Sequence, residues 1–242
     1  MSISNNQLKI ITSLLQKKYR QKHQLFIAEG VKVVNELLNS SFKVDTLFAL
    51  DDFKTSIAQD KIIRISEKDL QKISNLKSAN KVLGLFKIPE ESAVKNKGLI
   101  IALDAVNDPG NLGTIIRLCD WFGVTELICS KDTVDCYNPK VVQASMGSLT
   151  RISIRYLDLE IYLKSTKIPT FIADMDGGNV YKSELPKEAI LIMGNEANGV
   201  SKAIKNLVNT KISIPRFGNV QETESLNVAT ATAILLSEFR RA

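Results

Sequence analysis

The chain is poor in the residues that most enzymes use for acid–base and metal chemistry. It has one histidine, His23, in 242 residues. A Ser–His–Asp triad would have to draw that histidine out of a lysine-rich segment, so His23 reads as a surface residue. The three cysteines, Cys119, Cys129 and Cys136, are odd in number and have no CxxC spacing. They read as reduced thiols, and no metal is expected. No apolar run approaches the roughly 20 residues of a membrane span, so no membrane partner is expected. The opening residues MSISNNQLKI lack the apolar core of a secretory signal, which points to a cytoplasmic location. No GxGxxG follows a first strand, and no GxxxxGK[ST] occurs anywhere. A dinucleotide-type Rossmann site, an ordinary glycine-rich methyltransferase site and a P-loop NTPase are therefore unsupported.

What is present is an aliphatic, two-part α/β chain. Hydrophobic residues make up 44% and aromatics 6%, enough for an aliphatic core. The net charge of +6 is unevenly placed. Residues 1–97 hold 17 Lys/Arg against 10 Asp/Glu, whereas residues 98–242 hold 15 against 16. A lysine-rich front module is the electrostatic footprint of a polyanion-binding surface, or else an ordinary solvated face. In that front part a helix pattern at Asn6–Gln16 leads into the cationic stretch KKYRQKHQ. A strand at Leu25–Ala28 follows, then a helix through Leu38. Strands at 44–50, 61–65 and 82–88 and a short helix at 67–73 complete a small α/β domain over residues 1–90. The polar segment up to Lys97, which begins with a proline, reads as a linker over 91–97.

From residue 98 onward, short apolar strands alternate with helices. The strand patterns lie at Gly98–Leu103, Thr125–Cys129, Ile152–Tyr156, Pro169–Ala173, Ala189–Met193 and Lys211–Ile214. The last helix pattern runs from Ser225 to Arg240. Such strands imply a mostly parallel sheet flanked by helices on both faces, and ligands of such sheets sit beyond the carboxyl ends of the strands. Three loops there are unusual. The first, VNDPGNLGTIIR, leaves the strand ending at Leu103 and leads into a helix carrying Arg117. Turn glycines, helix amides and a guanidinium together make a site for an anionic group. The second is MGNEANGVS, Met193 to Ser201, with Gly194 directly after a strand and Glu196 beside it. The third is IPRFGNVQETESLNVATA, from Ile214, with Ser225 and Asn227 at the start of the final helix. Each has a plain alternative. The glycines could be turn residues, Ser225 a helix cap, and Arg117 a surface residue paired with Asp108 or Asp120.

Taken together the three loops resemble the motifs of the SpoU (TrmH-like) branch of the SPOUT RNA methyltransferases. Asn111, Gly113 and Arg117 match its first motif. Gly194, Glu196 and Gly199 match the second, and Ser225, Leu226, Asn227 and Val228 match the third. The stretch KKYRQKHQLFIAEG is similar to the small L30-like substrate-binding domain often fused to these enzymes. The resemblance implies a catalytic domain over 98–242 that is tied in a trefoil knot and works as a homodimer. It implies methyl transfer from S-adenosyl-L-methionine (SAM) to a ribose 2′-hydroxyl of RNA, with rRNA favoured over tRNA. Asn111, Arg117, Glu196, Ser225 and Asn227 would form the reaction centre. Ala173, Met193, Gly194, Gly199, Ile214 and Leu226 would line the cofactor site. Lys17, Lys18, Arg20 and Lys22 are the candidates for RNA phosphate contacts, with Tyr19 or Phe26 for base stacking. The family assigns the arginine as general base, but a guanidinium with a pKa above ~12 rarely gives up its proton. A phosphate clamp is the other role open to Arg117. The six residues NVQETE between Gly218 and Ser225 exceed the family's usual loop length, and Ala229 stands where a serine is frequent.

Overall fold

The computed structural model describes residues 3–90, 93–218 and 225–241. The chain forms two compact units, Met1–Glu91 with Asp135–Thr150, and Ser92–Val134 with Arg151–Ala242.

The first unit opens with α1 (Asn5–Ser13), which starts on a capping box in which Ser4 and Gln7 satisfy each other's backbone amides. The cationic stretch that follows is itself a helix, α2 (Lys17–His23). Then come β1 (Leu25–Glu29), α3 (Val31–Leu38), β2 (Val44–Ala49), β3 (Ile62–Arg64), α4 (Glu67–Ile73) and β4 (Val82–Lys87). The strands form one sheet in the order β1-β4-β2-β3. β4 runs antiparallel to β1 and β2, and β3 is parallel to β2. Ile11 and Leu14 from the first segment and Leu70 and Ile73 of α4 pack on Ile27, Phe48, Leu83 and Leu85. Phe26 is fully buried and meets Phe86 at 5.9 Å, Phe42 at 5.6 Å and Tyr137 at 4.9 Å between ring centroids. Burying that ring contributes about 2–3 kcal/mol, and it leaves Phe26 no face on which to stack a base.

Tyr137 belongs to the stretch Asp135–Thr150, with its helix Pro139–Ser145, which packs into the first unit although it lies within the residues expected to form the second. Asp135 explains much of this. Its Oδ2 accepts from Arg20 Nε at 2.8 Å and Nη2 at 2.5 Å, while Arg20 Nη1 donates to the carbonyls of Leu14 (2.8 Å) and Leu15 (3.0 Å). Arg20 is only 2% exposed. It is a core residue that joins α2 to residue 135, and the expectation that it contacts RNA phosphate is corrected here.

The second unit contains β5 (Leu99–Leu103), α5 (Pro109–Trp121) and β6 (Glu126–Ser130), where the chain departs for the helix at Pro139–Ser145, α6. It resumes with β7 (Ser153–Leu157), α7 (Leu159–Ser165), β8 (Thr170–Asn179), β9 (Ala189–Met193), α8 (Lys202–Lys205), β10 (Thr210–Ser213) and α9 (Val228–Arg240). Six strands form one sheet in the order β10-β8-β9-β5-β6-β7, every pairing parallel. β5 and β9 are buried along their whole length. Ile100, Ala102, Ile190 and Ile192 pack with Leu159, Leu163 and Ile204 on one face. On the other face Phe171 meets Phe239 of α9 edge-on at 5.5 Å. From the central pair the chain leaves β5 toward β6 and leaves β9 toward β10 at the opposite edge. Loops that diverge from neighbouring strands in this way open a crevice at their carboxyl ends.

β8 runs beyond the expected end at Ala173. Phe171 and Ile172 pair with Thr210 and Lys211, but Gly178 and Asn179 pair with Ile212 and Ser213, so residues 173–177 bulge out of the ladder. A Cβ on Gly177 would lie 2.6 Å from the backbone of Ile212, so only glycine lets the two strands rejoin.

Candidate active site

Each of the three loops is shaped by local bonds that can be read residue by residue. After β5, Asp104 is 8% exposed, and its amide donates to the Met193 carbonyl at 2.9 Å. Asp108 then caps α5, its Oδ1 accepting from the Asn111 amide at 2.7 Å, with Pro109 at the first helical position. After β9, Asn195 and Gly199 exchange two backbone hydrogen bonds of 2.9 Å each, closing a tight loop. Asn195 Oδ1 accepts from Ala197 N at 2.9 Å and Asn198 N at 3.2 Å, and its Nδ2 donates to the Ala105 carbonyl at 2.7 Å. The second loop is thereby stitched to the first. A Cβ on Gly194 would fall 2.2 Å from Gly199 C and Val200 N, so this loop closes only on a glycine. Ser201 N donates to Asp104 Oδ2 at 2.7 Å, which ties the start of α8 to the same β5 exit.

The third loop joins through Asn227, which caps α9. Its Oδ1 accepts from Ala229 N at 3.0 Å and Thr230 N at 3.2 Å. Because the oxygen faces those amides, the nitrogen must face away, and Nδ2 donates to Asn111 Oδ1 at 2.8 Å. Asn111 is oriented in turn, and its Nδ2 donates to Glu196 Oε1 at 2.9 Å. One residue from each loop therefore stands in a single directed chain of hydrogen bonds, Asn227 to Asn111 to Glu196.

Arg117 is exposed on α5 and makes no hydrogen bond or ion pair with the described residues. Its alternative partners are engaged elsewhere. Asp108 caps the helix, and Asp120 pairs with Arg151 at 2.9 Å. Gly110, Gly113 and Arg117 fall at i, i+3 and i+7 of α5, one helical stripe. Ser225 is exposed ahead of the cap, whereas the sequence pattern began the helix at Ser225 itself. Residues 219–224 of the long third loop lie outside the described residues.

Among the cofactor-site candidates, Met193 is buried at the end of β9, Ala173 and Ile214 are half-buried, and Leu226 is 48% exposed. Gly194 is half-buried and Gly199 is exposed. Apolar side chains with open faces beside backbone-rich loops suit a flat purine flanked by main-chain polar groups. The three cysteines are free and buried, and burial, with Asp120 adding to it, pushes the Cys119 thiol up to about 12. In the first unit Lys17, Lys18 and Lys22 are exposed on α2, and Lys18 Nζ sits 4.8 Å from the Tyr19 ring centroid. An open groove of about 750 Å³ in the same unit is lined by Asp51, Asp52 and Glu67 with Lys81, an acidic rim unsuited to a polyanion. Among the described residues no His/Cys/Asp/Glu group could hold a metal, and no helix is long and apolar enough to cross a membrane.

Asn195 is not among the residues the sequence motifs single out. An Asn that follows a strand-end glycine and precedes two further loop residues is the signal of an Asx turn, and it was there to be read.

A parallel α/β sheet with three tied loops at its carboxyl edge defines a ligand-binding class of fold. Comparison with known proteins makes the class specific. Residues 98–237 match the model of the SpoU rRNA Methylase family, and residues 5–84 match the MRM3-like substrate binding domain. The chain belongs to the SpoU family of SPOUT RNA methyltransferases. It is 30% identical over 250 residues to the 23S rRNA (guanosine(2553)-2′-O)-methyltransferase RlmP of Bacillus subtilis, covering 99% of this chain and 98% of that one. A TrmH-family protein from Porphyromonas gingivalis superposes with a TM-score of 0.90 at 36% identity, covering 100% of this chain and 99% of that one. An AdoMet-bound rRNA methyltransferase from Sinorhizobium meliloti superposes with a TM-score of 0.85 at 29% identity, covering 100% and 96%.

Proposed function

We propose that this protein methylates a ribose 2′-hydroxyl of ribosomal RNA with SAM as donor. The observation that carries the reading is the hydrogen-bonded chain through Asn227, Asn111 and Glu196, which draws all three loops to one place. SAM supplies an electrophilic methyl group. The protein's own task is to hold a sugar alcohol in line with that methyl and to exclude competing geometries. Ala173, Met193, Gly194, Gly199, Ile214 and Leu226 hold the donor, largely through backbone groups and apolar contact. Arg117 clamps the RNA phosphate next to the target ribose through its guanidinium. Ser225 adds a hydroxyl at the same rim. Lys17, Lys18 and Lys22 on α2 contact the RNA backbone, so residues 1–90 serve as the substrate-binding module and 98–242 as the catalytic one.

The active form is a homodimer whose second copy completes the site. Trp121 at 84% and Phe217 at 82% exposure offer apolar surface of the second unit for such a partner. The threading of the C-terminal segment as a trefoil knot, and a cytoplasmic location, belong to the same reading. The test is twofold. Calorimetric titration with SAM should give saturable binding to the full chain. Methyl-labelled SAM should then pass its label to rRNA. A chain that binds RNA but takes up no SAM would be an RNA-binding module only.

A further inference from the structure

We infer that Glu196, through Oε2, accepts the proton of the ribose 2′-hydroxyl, and that Asn111 and Asn227 are positioning residues that set the direction of its carboxylate. The inference rests on the methyltransferase reading above and deepens it.

The hydrogen-bond chain has only one possible direction. Asn227 Oδ1 is fixed by two helix amides, at 3.0 and 3.2 Å. That leaves its Nδ2 to donate to Asn111, and Asn111 Nδ2 to donate to Glu196 Oε1. The last link therefore ends on an acceptor, and a carboxylate is the acceptor-only group that suits it. Oε1 is occupied. Oε2 accepts nothing from the described residues, and no ion pair among them reaches Glu196. A carboxylate held by one oxygen and open at the other presents a lone pair in a set direction.

Among the described residues, the neighbouring carboxylates serve local backbone amides. Asp104 Oδ2 accepts from Ser201 N, and Asp108 Oδ1 accepts from Asn111 N. Lys202 at the start of α8 and Arg117 on α5 are cations. A guanidinium is donor-only and offers no lone pair to take up the hydroxyl proton. Among the described carboxylates of these loops, Glu196 is the one whose open oxygen is oriented by the Asn227–Asn111 chain.

The step balances. As the hydroxyl oxygen forms its bond to the methyl carbon, the carbon–sulfur bond breaks and its electron pair goes to sulfur. The positive sulfonium becomes a neutral thioether. The O–H proton passes to Glu196 Oε2, so the negative carboxylate becomes a neutral acid. Positive and negative charge disappear together, and solvent later takes the proton from Glu196. With a guanidinium as acceptor, the arginine would first have to be neutral.

The test uses the full chain with rRNA and methyl-labelled SAM in single-turnover assays. Wild type, Glu196→Gln and Glu196→Asp are compared, and SAM and RNA affinities are measured for each by calorimetry and filter binding. Glu196→Gln, which keeps the bond from Asn111, should slow transfer roughly 10²- to 10⁴-fold, with both affinities within about threefold of wild type. Glu196→Asp, which keeps a carboxylate, should transfer faster than Glu196→Gln. Overturning results are a Glu196→Gln rate near wild type, a Glu196→Asp rate no higher than that of Glu196→Gln, or a loss of affinity that matches the loss of rate. If wild-type protein binds RNA but transfers no methyl group, the methyltransferase reading fails first and this inference with it.

Discussion

Asn227→Asp separates two jobs that the native side chain does at once. In the folded chain Asn227 Oδ1 caps α9 through two amides, and its Nδ2 orients Asn111 at 2.8 Å. Aspartate caps a helix as well as asparagine, and its charge at the N-terminus adds about 0.3–1 kcal/mol of favourable dipole interaction. It has no donor, however, so it sets a carboxylate oxygen against Asn111 Oδ1. Losing the bond and leaving two acceptors face to face costs about 1–3 kcal/mol in the reactive arrangement, or roughly 5- to 150-fold in rate. Asn227→Ala removes both functions. It should lose about 0.5–2 kcal/mol of stability with the cap, and melt roughly 1–8 °C lower at about 2–4 °C per kcal/mol for a unit of this size. Its transfer rate should fall as far as that of the aspartate variant. The assay pairs thermal melting with single-turnover methyl transfer at saturating SAM. An aspartate variant that turns over like wild type would remove the directed chain from the mechanism. One that melts as low as the alanine variant would contradict the separation of capping from orienting.

Arg117→Ala should abolish methyl transfer while leaving melting and most SAM binding intact, since the exposed side chain makes no hydrogen bond or ion pair with the described residues; near-normal turnover would take Arg117 out of the reaction. Arg20→Ala strands the Asp135 carboxylate and two carbonyls, and should cost about 3–5 kcal/mol, read as a large drop in denaturant midpoint. Replacing Lys17, Lys18 and Lys22 by alanine should leave that midpoint unchanged, weaken RNA binding, and flatten its log–log salt dependence by up to about 2. Cys119, Cys129 and Cys136 are buried, and the Cys119 thiol stays protonated far above neutral pH. They should therefore resist a thiol-specific reagent at pH 8 and react fully only on unfolding, at about the rate of model thiols; rapid labelling of native protein would contradict the packing.

The sheet was legible because β5 and β9 are unbroken apolar runs, and continuous burial is what a parallel strand covered on both faces requires. The three loops were legible because glycine, asparagine and a cap residue repeat at strand exits, each with its own turn chemistry. What local pattern could not carry was long-range pairing. Arg20 looks like one more cation in KKYRQKHQ until Asp135, 115 residues away, supplies its partner. The same pairing draws residues 135–150 into the first unit, and nothing in their composition announces it. β8 appeared to end at Ala173 because Asp174, Asp176 and two glycines hide a strand that resumes after a bulge. Asn195 is inconspicuous beside Glu196 because its work is structural, tying the second loop to Ala105.

The most direct measurement is mass-spectrometric analysis of nucleosides from rRNA incubated with the purified chain and methyl-labelled SAM. Label recovered in a single 2′-O-methylated nucleoside, and lost with Arg117→Ala, is the predicted result. Label on a base nitrogen, or none on rRNA at all, would contradict the assignment of a sugar alcohol to the place where the three loops meet.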